Sequence, residues 1–153
     1  MGMKGHSELP VLSIVIVTWN AKRYALECLA SLTSHCPRVP TEIIVVDNAS
    51  TDETPQAIRS QFPNVRMVEN DANLGFAKAN NIGISLSKGK YISLINSDVV
   101  VAPECLNTML ALMEADHKIG VAGPRMICAD GTIERYVSNA WHNSSPRATL
   151  GNA

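Results

Sequence analysis

The apolar and polar positions of this chain change period several times. "VLSIVIVT" (11–18) is an unbroken apolar, β-branched run, the pattern of a strand covered on both faces. Asn20 suits a helix N-cap, and after it Ala25, Cys28, Leu29 and Leu32 recur at helical spacing until Pro37 and Pro40 end the segment. "EIIVVD" (42–47) predicts a second buried strand. Ser50 and Glu53 have the spacing of a capping box, which predicts a helix from about Thr51 to Gln61 with Pro55 in its first turn. "NVRMVEN" (64–70) alternates weakly and predicts a shorter third strand, followed by a loop, "DANLG" (71–75). Phe76 to Ser87 predicts a helix with Ala79, Ile82, Gly83 and Leu86 on one face and Gly89 as its stop.

"YISLINSDVV" (91–100) interrupts this grammar. Tyr91 to Ile95 suit a buried fourth strand. Asn96, Ser97 and Asp98 then break the apolar run before Val99, Val100 and Val101 resume it. Pro103 suits the first turn of another helix, with Leu106, Met109, Leu110 and Met113 inward. "IGVAG" (119–123) predicts a fifth strand, and Asp130-Gly131 between two short extended runs predicts a hairpin. Strand and helix alternate, so the fold class expected is α/β, a mostly parallel sheet with helices on both faces. Residues 1–10 read as a flexible leader without an apolar core, and the chain loses periodicity beyond Ser138.

Composition narrows the partners. The 153 residues are 46% hydrophobic and 18% charged, with a net charge of −1. That is the balance of one globular domain and does not favour a non-specific nucleic-acid binder. No apolar run approaches the roughly 18 residues that span a bilayer. Cys28, Cys36, Cys105 and Cys128 show no metal-ligand spacing, and His6, His35, His117 and His142 are scattered.

Ligands of open α/β sheets bind beyond the carboxyl ends of the strands. Those ends carry Thr18, Trp19 and Asn20; Asp47, Asn48 and Ser50; Asn73 and Gly75; and Asn96, Ser97 and Asp98. Four chain segments thus bring polar groups to one edge. Each group also has a structural reading: Asn20, Ser50 and Asp52 as caps, Asp47 as a turn former, Trp19 as core, Asn73 and Gly75 as a turn, and Asp98 as a helix start. The turn after the first strand, "TWNAKRY", lacks glycine, against a dinucleotide fingerprint or a P-loop. A nucleotide diphosphate here needs another neutraliser, and a divalent cation, Mg²⁺ or Mn²⁺, on Asp98 is the evident one.

The ordered segments "SIVIVTWN", "EIIVVDNASTDET", "NLGFAKANNIGI" and "YISLINSDVVV" resemble the family 2 glycosyltransferases of GT-A fold, in their rhamnosyltransferase-like branch, over roughly residues 11 to 135. The resemblance implies inverting transfer of a sugar from a nucleotide-diphosphate donor to a glycan or lipid-linked acceptor. The setting it implies is cell-surface polysaccharide synthesis in the cytoplasm, with peripheral association at the inner face of the membrane. By it, Thr18 and Trp19, with Asn20, line the nucleobase and ribose. Asp47 accepts a hydrogen bond from the base, and Asn73 and Gly75 border the donor. Asn96, Ser97 and Asp98 fall on the family's D-x-D triplet, whose last carboxylate meets the metal. The first triplet position is an amide here, so the metal leans on Asp98. The family's general base lies beyond the matching motifs, and Glu134, in the expected hairpin, matches none of them. The chain therefore reads as a donor half, 11–137, followed by a tail or the start of an acceptor half at 138–153, with exposed apolar surface and self-association expected. The alternatives are a nucleotide-sugar-binding module without catalysis, a Rossmann-type enzyme using Asp47 on a ribose, and a scaffold domain.

Overall fold

The computed structural model describes residues 9–128 and 130–133. Residues up to Gly120 form one compact unit and those from Val121 a second. The first unit runs β1 (Leu12–Thr18), α1 (Lys22–Ser34), β2 (Thr41–Asp47), α2 (Thr54–Gln61), β3 (Arg66–Glu69), α3 (Phe76–Leu86), β4 (Tyr91–Asn96) and α4 (Cys105–Ala115). The four strands are parallel in the order β3-β2-β1-β4. With β1 central, Thr18 lies beside Asp47 and Val17 beside Asn96, so all polar strand ends meet at one edge.

Alternation along β1 builds two apolar layers. Leu12, Ile14 and Ile16 pack with Ala25, Cys28, Leu29 and Leu32 of α1, Ile58 of α2 and Leu106 of α4. On the other face Ile44, Val46 and Val17 meet Ala79 and Ile82 of α3. Gly83 lets α3 approach closely: a Cβ there would overlap the Val15 side chain. Helices thus cover both faces, as the alternation of elements predicts.

Several local expectations need correction. β4 is buried on one face only. Tyr91 and Ile95 join the α1 layer, while Ile92 and Leu94 stay 43% and 49% exposed. The single helix α3 lies over β1 and β2 and leaves that side of the edge strand open. No capping box forms, because the Ser50 hydroxyl donates to Asp47 Oδ1 at 2.6 Å, and α2 starts at Thr54 rather than Thr51. Asn20 does not cap α1; its Oδ1 accepts the Thr51 N–H at 2.7 Å. Gly89 does not end α3, which closes at Ser87; it sits where a Cβ would strike the backbone of Ser13. Pro103 precedes α4, whose N-cap is Glu104.

The expected fifth strand is absent. Residues 119–123 belong to no strand, and Val121 is 90% exposed. Gly120 and Gly123 weaken strand formation, and Pro124 has no N–H to pair. In the second unit the Asp130-Gly131 turn does form. Ile127 bridges Ile133 in antiparallel fashion, Gly131 has φ +81°, and Asp130 Oδ1 accepts the Thr132 N–H at 2.9 Å. The rest of that hairpin, with Glu134, and the leader and tail lie outside the described residues.

Candidate functional site

A cavity of about 600 Å³ opens at the carboxyl edge of the sheet, lined by Val17, Ala21, Tyr24, Phe76, Asn96, Ser97 and Asp98. Its polar wall is a turn. Asn96 C=O accepts the Val99 N–H at 3.2 Å, which puts Ser97 and Asp98 at the corner. The sequence dictates that turn: short side chains tolerate it, and Val99 and Val101, packed into the core on either side of exposed Val100, tie the exit down. The Asp98 carboxylate is left exposed at the cavity. Below it the Cys28 thiol is buried and donates to Asn96 C=O at 3.7 Å. Burial, and secondarily the negative charge of Asp98, push that thiol up to about 12.

The neighbouring polar residues are cross-braced. Asp47, 1% exposed, accepts from the Ser50 N–H at 2.8 Å and from the Ser50 hydroxyl. Asn20 N–H in turn donates to Ser50 Oγ at 2.8 Å. Asp52 Oδ2 accepts the Lys22 N–H at 3.0 Å and Oδ1 the Thr54 N–H at 3.2 Å, so one carboxylate serves the first residue of both α1 and α2. Asn48, buried, donates from Nδ2 to Gly75 C=O at 3.4 Å and accepts from Asn70 at 2.9 Å. Asn73 Oδ1 accepts the Gly75 N–H at 2.9 Å, and Gly75 takes φ +79°. Thr18 Oγ1 is the one buried side-chain oxygen or nitrogen without a hydrogen-bond partner among the described residues.

Of the residues singled out in the sequence, Asn96, Ser97 and Asp98 line the cavity. Thr18, Trp19, Asn20, Asp47, Asn73 and Gly75 share the edge but do not line it. Trp19 is 54% exposed and so is not core. Sequence reasoning missed Val17, Ala21, Tyr24 and Phe76. The signal for the last two was present: an aromatic residue in the first turn of each of two helices that start at the same edge, both more than half exposed.

The chain matches the glycosyl transferase family 2 over residues 13–152, and it belongs to that family. It is 29% identical over 145 residues to the succinoglycan biosynthesis protein ExoO of Rhizobium meliloti, covering 94% of this chain and 41% of that protein. It is 31% identical to the N-acetylglucosaminyl-diphospho-decaprenol L-rhamnosyltransferase of Mycobacterium tuberculosis, covering 80% of this chain and 43% of that protein. The chain thus spans less than half the length of these relatives. Among solved structures it resembles the mannosyltransferase PcManGT of Pyrobaculum calidifontis in complex with GDP-Man and Mn²⁺, at 28% identity and a TM-score of 0.66, covering 74% of this chain and 34% of that one. It also resembles S. aureus TarS 1-349 in complex with UDP-GlcNAc, at 27% identity and a TM-score of 0.61, covering 69% and 32%. The parallel sheet and its helices are of the GT-A glycosyltransferase type.

Proposed function

We propose that this chain is the donor-binding portion of an inverting glycosyltransferase that takes a nucleoside-diphosphate sugar at the carboxyl edge of its sheet. The observation that carries the reading is the exposed Asp98 carboxylate at a turn, beside Asn96 and Ser97, in a cavity flanked by Tyr24 and Phe76. Aromatic faces suit the planar or apolar parts of a ligand. The triplet suits a diphosphate with its cation. Thr18, Trp19 and Asn20 line the nucleoside, Asp47 accepts from its base, and Asn73 and Gly75 border the donor. Trp19, exposed at this edge, is free to stack.

The donor set fits a hard cation. Among the described residues no three His, Cys, Asp or Glu side chains cluster as a metal cage. One carboxylate with an amide and a hydroxyl beside it is what Mg²⁺ or Mn²⁺ needs when phosphate and water supply the other ligands. Asp98 would hold the ion, and Asn96 would accept from ribose or a bound water. The ion, when bound, neutralises the diphosphate leaving group.

The acceptor is the hydroxyl of a glycan or a lipid-linked sugar, and inversion requires a base to take its proton. Among the described residues Asp116 terminates α4 and accepts the Lys118 N–H at 2.9 Å, and Asp130 is committed to its turn. Asp116 does not line the Asp98 cavity. No helix among the described residues is long and apolar enough to cross a membrane.

Calorimetric titration with UDP and with GDP, in Mn²⁺ and in EDTA, tests the reading. Metal-dependent binding is expected, with loss of the metal effect in Asp98→Asn. Failure of both nucleotides to bind, or equal affinity in the variant, overturns it.

A further inference from the structure

Helix α1 touches the segment that carries Asp98 at both of its ends. Cys28 and Ser31, one turn apart on the buried face of α1, reach different backbone atoms of it. Before the turn, Cys28 Sγ meets the Asn96 carbonyl at 3.7 Å. After the turn, Ser31 Oγ accepts the Val101 N–H at 3.0 Å. The Ser31 hydroxyl proton is already committed, donating to Cys28 C=O within the helix at 2.7 Å. That internal bond fixes the side chain and directs its lone pairs outward. Ser31 and Val101 are both buried, so no water replaces the bond if the hydroxyl is removed.

The consequence falls on Asp98. Among the described residues its exposed carboxylate accepts no hydrogen bond. Its placement depends on the backbone between Asn96 and Val101, held at one end by the β1–β4 ladder and a weak thiol bond and at the other by the hydroxyl bond. We propose that Ser31 is a positioning residue of the donor site, holding the Asn96–Val101 segment so that Asp98 is set in place for a cation-bound nucleoside diphosphate. This inference rests on the donor-site reading above. Ser31 does not touch the ligand and lies outside the cavity lining. The small hydroxyl is needed because it must both bond its own helix and accept from the loop.

The experiment compares UDP and GDP affinity with Mn²⁺ and with EDTA in the parent chain, Ser31→Ala and Asp98→Asn. The readout is the ratio of the two affinities, which a merely structural loss of stability does not change in folded protein. Ser31→Ala is expected to lower the ratio by roughly tenfold, the scale of one buried hydrogen bond, with metal-free affinity unchanged. Asp98→Asn should bring it to one. A parent without a metal effect overturns the donor-site reading and this inference together. A parent with one, beside a Ser31→Ala ratio equal to the parent's, overturns this inference alone. A second measurement needs no variant. By linkage, a ligand that uses the held segment stabilises it, so exchange of the Val101 amide hydrogen must slow severalfold when UDP and Mn²⁺ bind. Unchanged exchange at Val101 under saturating ligand overturns the proposal even if Ser31→Ala does not fold.

Discussion

The carboxylate of Asp52 reaches the backbone N–H of Lys22, 30 residues earlier in the chain, at 3.0 Å. With its other oxygen on Thr54 it caps two helices at once. Asp52→Ala should therefore cost more than an ordinary cap, about 1–3 kcal/mol where single caps are worth about 0.5–2. Urea unfolding at neutral pH measures it.

The same residue gives a pH dependence. Burial raises its pKa, but the hydrogen bonds from the Thr54 hydroxyl and the Lys22 and Thr54 N–H groups outweigh that and hold it below the ordinary carboxylate value. A group depressed in the folded state stabilises it above the unfolded pKa, about 3.9 for Asp. That contribution is lost as pH falls through the lower folded value. Parent and Asp52→Ala should differ in stability at pH 7 and converge below about pH 3.9. A gap that stays constant into acid would mean the carboxylate charge contributes nothing.

Asp47→Ala removes the acceptor for both the N–H and the hydroxyl of Ser50. A stability loss of about 1–3 kcal/mol is expected from those unpaired groups, seen as a lower melting temperature. Nucleotide affinity measured on the folded fraction separates the roles. A fall there assigns the carboxylate to the base as well, and parent-like affinity leaves it a turn former only.

Gly83→Ala tests the contact of α3 with β1. Alanine gains helix propensity of about 1 kcal/mol over glycine, but its methyl overlaps Val15, and overpacking costs about 1–3 kcal/mol. Net destabilisation is expected. Restoration by Val15→Ala in the double variant would attribute the loss to that overlap, and an additive loss would refute it.

The Cys28 thiol, pushed up to about 12 mainly by burial, should resist thiol reagents in the folded protein. Exposed Cys36 and Cys128 should react quickly, and Cys28 only on unfolding. Because burial outweighs the charge of Asp98 as the cause, Asp98→Asn should leave Cys28 unreactive. Rapid labelling of Cys28 in either protein would contradict the packing of α1 on β4.

The strands and the apolar face of α1 were legible because burial leaves a period: β-branched runs at 11–18 and 42–47, and Ala25, Cys28, Leu29 and Leu32 at helical spacing, all fully buried. The polar break at Asn96 to Asp98 was legible for the same reason, as a departure from that pattern. Short-range rules failed where distant partners competed. Ser50 had a capping-box partner three residues on, yet Asp47, behind it in the chain, took its hydroxyl. Asn20 was drawn to Thr51 across the edge. The half-open β4 was illegible because its apolar run does not say how far one helix on the far face extends. Ser31 left no trace in any pattern, since a small hydroxyl inside a helix reads as neutral until its partner at Val101 is known.

The order β3-β2-β1-β4 also fixes a sequence of events in time. β2 can join β1 soon after it is made, but Val15 pairs with Leu94, and Val17 with Asn96, only after α1, β2, α2, β3 and α3 have been synthesised. At about 5–20 residues per second a ribosome needs several seconds to cross that gap. Throughout it the inner edge of β1 presents unpaired N–H and C=O groups. The apolar strand β1 therefore waits, half-paired, for the segment that carries Asp98. The edge that carries Asp98 cannot form before β4 is made, and until Tyr91 emerges that side of β1 is open to a chaperone.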